Sequence, residues 1–345
     1  MKSSKTVLRS IAASLAFCAA GILASGLLPG GAATAVAQTK IKWAHVYEVN
    51  EPYHKQSVWA AEEIKKRTNG KFDIQVFPAS SLGKETDINQ GLTLGTVDMI
   101  ISGPSFAART YPRVGIAYYP FIFRDGDHLL AYAKSDLFKE MAEEYRKKTG
   151  IAMLAYTYYG ARHTTSNRAF KDCAGMKGLK IRVPDVAAYM ATPKACGANP
   201  TPIAFAEVYL ALQNGTVEAQ ENPLPTIEAK KFYEVQKHIM LTGHIVDGLV
   251  TQVAPHIWNK LSADEKKIIQ DSATEATAMQ RQASQKANAE ALEELKEEME
   301  VNELPPKELA KWREKAKPVI EKYTQAVGPE LVAELMAEVQ KVRQR

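Results

Sequence analysis

The chain after residue 38 alternates between strand and helix patterns, and this alternation constrains the fold more than any other feature. Residues 41–46 and 72–77 alternate apolar and polar side chains, and a helical pattern over residues 54–68 lies between them. A second helical pattern ends at Gly95, and residues 97–101 follow as a buried strand. This order is typical of a parallel sheet with crossover helices, so we predict an α/β fold.

The alternation restarts after residue 150 and predicts a second α/β sheet. Residues 151–159, 179–183 and 217–221 have strand patterns. Asp185 is expected to cap a helix that runs to about Cys196, and Thr201-Pro202 to begin another that ends at Asn214-Gly215. Residues 249–254 are expected to return as a strand of the first sheet. Several crossings between two sheets imply two lobes with a ligand cleft and a hinge.

The last part of the chain has helical patterns. Ser262 and Glu265 have the spacing of a capping box, and the helix that they begin is predicted to run to Met299. Pro305-Pro306 interrupts the chain, and further helices are predicted up to its end.

The first 37 residues have the pattern of a cleaved signal peptide. Lys2, Lys5 and Arg9 precede an almost wholly apolar or small run over residues 11–28, and Ala35-Val36-Ala37 is a cleavage site. We therefore expect an exported, soluble protein in the periplasm. The alternative is a retained membrane anchor.

The charge of the cleaved chain argues against nucleic acid as a partner. The three basic residues of the leader belong to 44 basic residues set against 39 acidic ones, so the rest of the chain carries about +2. No cluster of arginine and lysine with interleaved aromatic residues is present in the sequence.

Two cysteines remain after cleavage, Cys173 and Cys196. In an oxidising compartment such a pair is more often bridged than free, so a disulfide is predicted, with two buried thiols as the alternative. No third ligand of metal-site spacing is present, and we expect neither a metal nor a cofactor.

Arg182 is the most informative polar residue because it ends an apolar strand just before Pro184. Its planar fork suits a carboxylate held by two parallel hydrogen bonds, and strand ends are where open α/β sheets bind ligands. Arg162 and Asn222 follow two other predicted strands and would add hydrogen bonds to the same carboxylate. Taken singly, Arg162 has an alternative as an exposed loop residue and Asn222 as a turn residue.

Sequence signatures of enzymes are largely missing. The chain has no G-x-S-x-G, H-E-x-x-H, Walker or dinucleotide-binding motif, so we expect a binding protein without catalysis. Among the dispersed histidines, His45 is a candidate because it lies at the end of the first strand.

Five segments resemble the DctP-type periplasmic solute-binding proteins of TRAP (tripartite ATP-independent periplasmic) transporters. They are GARHTTSNR at 160–168, MKGLKIRVP at 176–184, PTPIAFAEVYLALQ at 200–213, VEAQENP at 217–223 and KFYEVQK at 231–237. The resemblance implies two lobes that close on the ligand, a long helix across both, and delivery to small and large membrane permease subunits. We expect lobe I at 38–160 and 248–285, lobe II at 161–247, and C-terminal helices at 286–345.

The resemblance also assigns roles to single residues. Arg182 corresponds to the family's signature arginine, which binds the ligand carboxylate. Arg162, Asn222 and Phe205 correspond to cleft residues of the branch that binds sialic acid. The segment Ser102-Gly103-Pro104-Ser105-Phe106 departs from that branch, because it lacks the expected acidic residue and arginine.

The departures predict a ligand other than sialic acid. Val46 replaces a cleft asparagine, whereas Glu85 keeps an acid. The side chains expected to offer hydrogen bonds to ligand hydroxyls are His45, Tyr47, Glu48 and Glu85. We therefore predict a hexuronate or another sugar acid.

Three alternatives remain open. The same fold could bind a C4-dicarboxylate or keto acid. The chain could be a periplasmic enzyme acting on an acidic sugar, with Glu85 and a cleft histidine as acid and base. It could also be a receptor that signals to a sensor kinase.

Overall fold

The computed structural model describes residues 38–343, so the predicted signal peptide lies outside the described residues. Within this range the strands are β1 Thr39–Ala44, β2 Phe72–Phe77, β3 Met99–Ser102, β4 Ala152–Ser166, β5 Lys180–Val183, β6 Asn199–Pro202, β7 Ala219–Pro223, β8 His238–Val253 and β9 Glu300–Glu303. The helices are α1 Pro52–Arg67, α2 Glu85–Leu94, α3 Pro104–Ala107, α4 Gly126–Ala133, α5 Asp136–Thr149, α6 Ala187–Ala195, α7 Val208–Gln213, α8 Leu224–Ala229, α9 Pro255–Trp258, α10 Ala263–Glu298, α11 Pro306–Val327 and α12 Pro329–Arg343. Short 3-10 helices cover Pro112–Tyr118, Cys173–Met176, Phe205–Glu207 and Phe232–Glu234.

The described strands form one mixed sheet in the order β2-β1-β3-β8-β4-β7-β5-β6, with β9 paired to β8. Strands β2, β1 and β3 are mutually parallel, and we call them the first half-sheet. Strands β7, β5 and β6 are also parallel, and we call them the second half-sheet. The predicted α/β class is confirmed, and each half has the expected alternation of strand and helix.

Two long antiparallel strands, β4 and β8, join the half-sheets. The prediction of two separate sheets was therefore wrong, because β4, which is 15 residues long, pairs with β8, which is 16 residues long, across the middle. The predicted return of residues 249–254 to the first sheet is confirmed, since β8 pairs with β3. The register between β4 and β8 shifts at Tyr158/Gly160 and at Arg162/Thr164, which bends the sheet between its halves.

Two local predictions in the second half were wrong. Helix α6 begins at Ala187 with Val186 as its N-cap, and Asp185 accepts a hydrogen bond from Arg109 instead of capping the helix. Thr201-Pro202 lies in strand β6, because pairing with β5 outweighs the local signal for a helix start.

Helix α10 is the long C-terminal helix that the sequence predicts. Ser262 and Glu265 form the capping box, and the helix runs for 36 residues to Glu298. It packs against α1 beside the first half-sheet, and against β4 and α8 in the middle and beside the second half-sheet. A single rigid element therefore spans both halves.

The predicted disulfide between Cys173 and Cys196 is present. It ties the 3-10 helix before β5 to the end of α6, and both cysteines are buried.

Among residues 38–343, none of the helices combines the length and apolar composition that crossing a bilayer requires.

Candidate functional site

Polar side chains from both half-sheets meet at a small internal cavity of about 30 Å³. We call this space the inner cavity. It is lined by Val46, Tyr47, Glu85, Gly103, Phe106, Tyr159, Arg162, Arg182, Pro184, Tyr189, Phe205, Asn222, Asp247 and Leu249. An adjoining outer cavity of about 220 Å³ shares Glu85, Phe106, Arg182, Pro184 and Phe205 with it. The structure therefore brings together six of the eight predicted binding residues, all except His45 and Glu48.

Arg182 lies at the carboxyl end of β5, where the parallel strands of the second half-sheet open toward the first. Its side chain is only 3% exposed. Its Nε donates to the Ile203 carbonyl at 2.9 Å, and its guanidinium lies 5.8 Å from the centre of the Phe205 ring. Arg182 forms no ion pair with any described carboxylate, and its two terminal nitrogens donate no hydrogen bond to a described residue.

Burial without an acidic partner is costly for a cation. Burial lowers the pKa of Arg182 to about 10, although Glu221 opposes this shift and neighbouring Arg162 adds to it. Arg182 still carries its charge at neutral pH. An anion placed against the fork would offset the cost of burying that charge.

Arg162, on β4, differs from Arg182 because its guanidinium already donates hydrogen bonds to protein carboxylates. Its Nη2 donates to Oε1 of Glu221 at 2.8 Å, and its Nη1 donates to Oδ2 of Asp247 at 2.8 Å. Nη2 of Arg162 also donates to Oδ1 of Asn222 at 3.1 Å. These partners come from β7 and β8, the strands that flank β4. Arg162 lines the inner cavity but is neutralised by protein carboxylates.

The two acids that bind Arg162 differ in proton affinity. Burial acts to raise the pKa of Glu221, but the charge of Arg162 and a contact from His244 outweigh it, and the pKa lies below its usual value. Burial raises the pKa of Asp247 in spite of Arg162. Tyr189 donates to Oδ2 of Asp247 at 3.2 Å and completes the network.

Asn222 and Phe205 lie beside the two arginines, as predicted. The Asn222 amide donates to Oε1 of Gln220 at 2.7 Å, and Tyr159 donates to Oδ1 of Asn222 at 3.4 Å. Phe205 is buried against Arg182 and also lies under Lys230, 5.3 Å from its ring centre. This wall is aromatic and rigid, which suits the closed face of a small-molecule site.

Glu85 faces this wall from the first half-sheet. It is the first residue of α2, and its Oε1 accepts from Ser102 Oγ at 2.8 Å and from the Gly103 amide at 3.2 Å. Burial raises the pKa of Glu85 to about 7, and the charge of Arg182 opposes that shift. Both cavities reach this carboxyl group.

The other predicted residues lie just after β1, and they differ in whether they line the inner cavity. Tyr47 lines the inner cavity and packs edge-on against Tyr53. His45 does not line it: its ring is buried, and Nε2 lies 3.1 Å from Nδ1 of His54. Burial lowers the pKa of His45 to about 3, so it stays neutral. Glu48 forms a salt bridge with Lys230, with 2.8 Å between Oε1 of Glu48 and Nζ of Lys230.

The groove beside α1 has a lining that disfavours an anion. This groove, of about 560 Å³, lies between α1, α8 and α10, and its lining has four glutamates for two lysines. Within the described part of the chain, no group of three His, Cys, Asp or Glu side chains is placed to hold a metal ion.

Sequence reasoning missed Asp247 and Tyr189. A signal for Asp247 existed, because it is a single acid inside the apolar run Ile245-Val246-Asp247-Gly248-Leu249, the same kind of anomaly that identified Arg182. Nothing in the sequence marked Tyr189, which reaches the cavity because α6 packs over the end of β5.

A buried, unpaired arginine in a cavity between two half-sheets is typical of a receptor that holds a small anionic solute. Residues 43–326 match the family profile of bacterial extracellular solute-binding protein, family 7, or DctP. The chain belongs to this family, the periplasmic solute-binding proteins of TRAP transporters, and has their two-lobed α/β fold.

Three relatives place the chain within the family. The sialic acid-binding periplasmic protein SiaP of Vibrio cholerae is 33% identical over 306 residues, which cover 89% of this chain and 95% of that protein. The sugar acid binding protein DctPAm of Advenella mimigardefordensis, solved with galactonate, has a TM-score of 0.85 at 29% identity and covers 88% of this chain and 99% of its own. A TRAP periplasmic solute-binding protein of Polaromonas sp. JS666, bound to D-erythronate, has a TM-score of 0.82 at 30% identity and covers 87% of this chain and 99% of its own.

Proposed function

We propose that this protein is the solute receptor of a TRAP transporter that binds a sugar acid through Arg182. The observation that carries the proposal is the state of the Arg182 guanidinium, which is buried, anchored through Nε and without an acidic partner among the described residues. A ligand carboxylate would accept two hydrogen bonds from the terminal nitrogens of this fork. Arg162 would support the site by holding Asn222 and the strands in place.

The distribution of charge favours a ligand with a single carboxylate. Arg162 is already paired with Glu221 and Asp247, so Arg182 is the cation of the inner cavity without a carboxylate partner among the described residues. Glu85 also lines this space and would repel a second carboxylate. The named ligands of the three relatives, sialic acid, galactonate and D-erythronate, support an acid that also carries hydroxyl groups. A hexuronate fits this class, and a C4-dicarboxylate fits less well.

The size of the cavity implies that binding involves movement. The inner cavity of about 30 Å³ has room for a water-sized group rather than a sugar acid. A hexuronate would therefore have to fill the outer cavity as well, or bind while the lobes are open. Contacts between the predicted lobes, Glu48 with Lys230 at 2.8 Å and Arg109 with Asp185 at 2.8 Å, would then re-form on closure.

The alternative of an enzyme acting on an acidic sugar has less support. It required Glu85 and a cleft histidine in one site, but Glu85 lines the cavity whereas His45 lies behind Tyr47. The family and the three relatives are solute-binding proteins. We propose that the bound acid is handed unchanged to the small and large permease subunits in the membrane.

A thermal-shift screen tests the proposal. The purified protein is heated with D-glucuronate, D-galacturonate, D-galactonate, D-erythronate, sialic acid or succinate. We expect at least one hydroxylated monocarboxylate to raise the melting temperature more than succinate does, because binding stabilises the folded state by mass action. A shift with succinate alone would favour the dicarboxylate alternative. The absence of any shift would contradict the proposal, and mass spectrometry of the recovered acid would reveal turnover.

A further inference from the structure

The carboxyl group of Glu85 is held so that one of its oxygens stays free toward the cavity. Ser102 Oγ accepts from the Asn89 amide at 2.9 Å, so its single proton is directed to Oε1 of Glu85 at 2.8 Å. The Gly103 amide also donates to Oε1, at 3.2 Å. Oε2 has no hydrogen-bond partner among the described residues, and the carboxyl group borders both cavities.

A bound acid would create an excess of negative charge at this place. Arg162 is paired with two carboxylates, Glu221 and Asp247, which leaves Arg182 as the cation that favours ionised Glu85. A ligand carboxylate on the fork of Arg182 adds another anion next to Glu85, since Arg182 and Glu85 line both cavities. Two carboxylates that share one cation in a water-poor space cannot both stay ionised at low cost.

No other group near Glu85 offers compensation. The titratable and charged residues that line the inner cavity with it are Tyr47 after β1, Tyr159 and Arg162 on β4, Arg182 on β5, Tyr189 on α6 and Asp247 on β8, with Lys84, Asp185 and Glu207 around the outer cavity. Asp247 is bound to Arg162, and Asp185 is paired with Arg109. Lys84 is exposed to solvent, where its charge is screened.

We propose that the receptor takes up one proton from solvent when it binds its acid, and that Oε2 of Glu85 holds this proton. The inference rests on the proposed function. The bound proton makes Glu85 a hydrogen-bond donor in the complex, and a hydroxyl or ring oxygen of a sugar acid accepts this hydrogen bond. The ligand thus binds as a carboxylate, and the receptor supplies the neutral acid beside it.

The direction of the pH dependence follows from the environment of Glu85. When the lobes are open, water solvates this carboxyl group and its pKa lies near the ordinary value. In the present structure burial raises the pKa of Glu85 to about 7, and a ligand anion would raise it further. The proton is therefore bound more tightly in the complex, and affinity falls as pH rises from the open-state pKa through the closed-state pKa.

Titration calorimetry with D-galacturonate, D-galactonate and succinate tests the inference. Each acid is titrated at about pH 6 and about pH 8, and affinity should be roughly tenfold weaker at the higher pH. Repeating the titrations in two buffers of different ionisation heat counts the protons, and we expect an uptake that approaches one at the lower pH.

Variants identify the group that holds the proton. Glu85→Gln mimics the neutral acid, so its binding should be independent of pH and take up no proton. Glu51→Gln tests the competing site: burial also raises the pKa of Glu51 to about 7, and Glu51 accepts from Thr226 of the other predicted lobe, but it borders the groove beside α1 and not the inner cavity, so uptake carried by Glu51 would vanish in this variant and persist in Glu85→Gln. Ser102→Ala removes a hydrogen bond to ionised Glu85 and should move the pH dependence to higher pH.

The outcomes separate this inference from the proposed function. Binding by the wild-type protein with equal affinity at both pH values and no proton uptake would overturn the inference alone. Proton uptake that persists in Glu85→Gln, or disappears in Glu51→Gln, would also overturn it. If none of the three acids binds the wild-type protein at either pH, the proposed function fails and the inference falls with it.

Discussion

Arg162 and Arg182 line the same inner cavity, but only Arg162 is paired with carboxylates. Arg162 is bound by Glu221 and Asp247 from the two strands that flank it, whereas Arg182 donates its Nε to a backbone carbonyl. The family resemblance presents both arginines as carboxylate-facing residues. In the structure Arg162 joins neighbouring strands through ion pairs, and Arg182 has no carboxylate partner among the described residues.

Removing the charge of Arg162 is expected to reduce stability strongly. Arg162→Met leaves Glu221 and Asp247 buried without their cation, which should lower the free energy of unfolding by about 3–5 kcal/mol. Arg113→Met is the control, because Arg113 pairs with Glu144 in a partly exposed site, and should cost less than about 1 kcal/mol. Urea unfolding of both variants measures the difference. Equal effects would mean that the buried network does not stabilise the fold.

Gly160 is expected to resist substitution because it lies at a register shift between β4 and β8. Its φ of +145° is unfavourable for other residues, and an added Cβ would lie 2.6 Å from Cβ of Pro223. Gly160→Ala should therefore destabilise the protein by more than about 2 kcal/mol. Gly215→Ala, at φ +69° with open space around it, should cost only about 1 kcal/mol. Thermal unfolding that ranks the two variants in the opposite order would refute this explanation.

The bridge between Cys173 and Cys196 closes a loop with a sequence separation of 23 residues. Constraining a loop of this size in the unfolded state stabilises a protein by about 3 kcal/mol. The double variant Cys173→Ser/Cys196→Ser should unfold at lower urea concentration than the oxidised wild type. Mass spectrometry of the unreduced protein with two alkylatable thiols would show that the bridge does not form.

Glu51 should make the folded protein less stable as pH rises. Burial raises its pKa to about 7, so the folded state binds a proton that the unfolded state releases near its ordinary pKa. The free energy of unfolding should therefore fall between about pH 5 and about pH 8, and Glu51→Gln should reduce this fall by on the order of 2 kcal/mol. Identical pH profiles for variant and wild type would show that Glu51 remains ionised in the fold.

The local features of this fold were readable from the sequence, and the pairings over long distances were not. Periodicity and capping residues predicted α1, β2 and α10 because these signals lie within a few residues of each element. The joining of the half-sheets through β4 and β8 depends on pairing between distant segments, which no local pattern encodes.

The same distinction applies to the site. Arg182 was identified because a charge in an apolar strand is visible locally. The partners of Arg162 lie 59 and 85 residues further along the chain, so their neutralisation of its charge appears only in the structure. His45 was expected to face the cleft because it follows the first strand, but it does not line the inner cavity. Its position in the sequence does not show that its ring contacts His54.

Calorimetry of Arg182→Lys tests the central claim most directly. Lysine keeps the positive charge but cannot form two parallel hydrogen bonds, and the loss of one charged hydrogen bond costs about 1.5–3 kcal/mol. With the acid that gives the largest thermal shift, affinity should fall at least about tenfold, while exposed Arg168→Lys should bind like the wild type. Unchanged affinity in Arg182→Lys would contradict the claim that Arg182 anchors the ligand carboxylate.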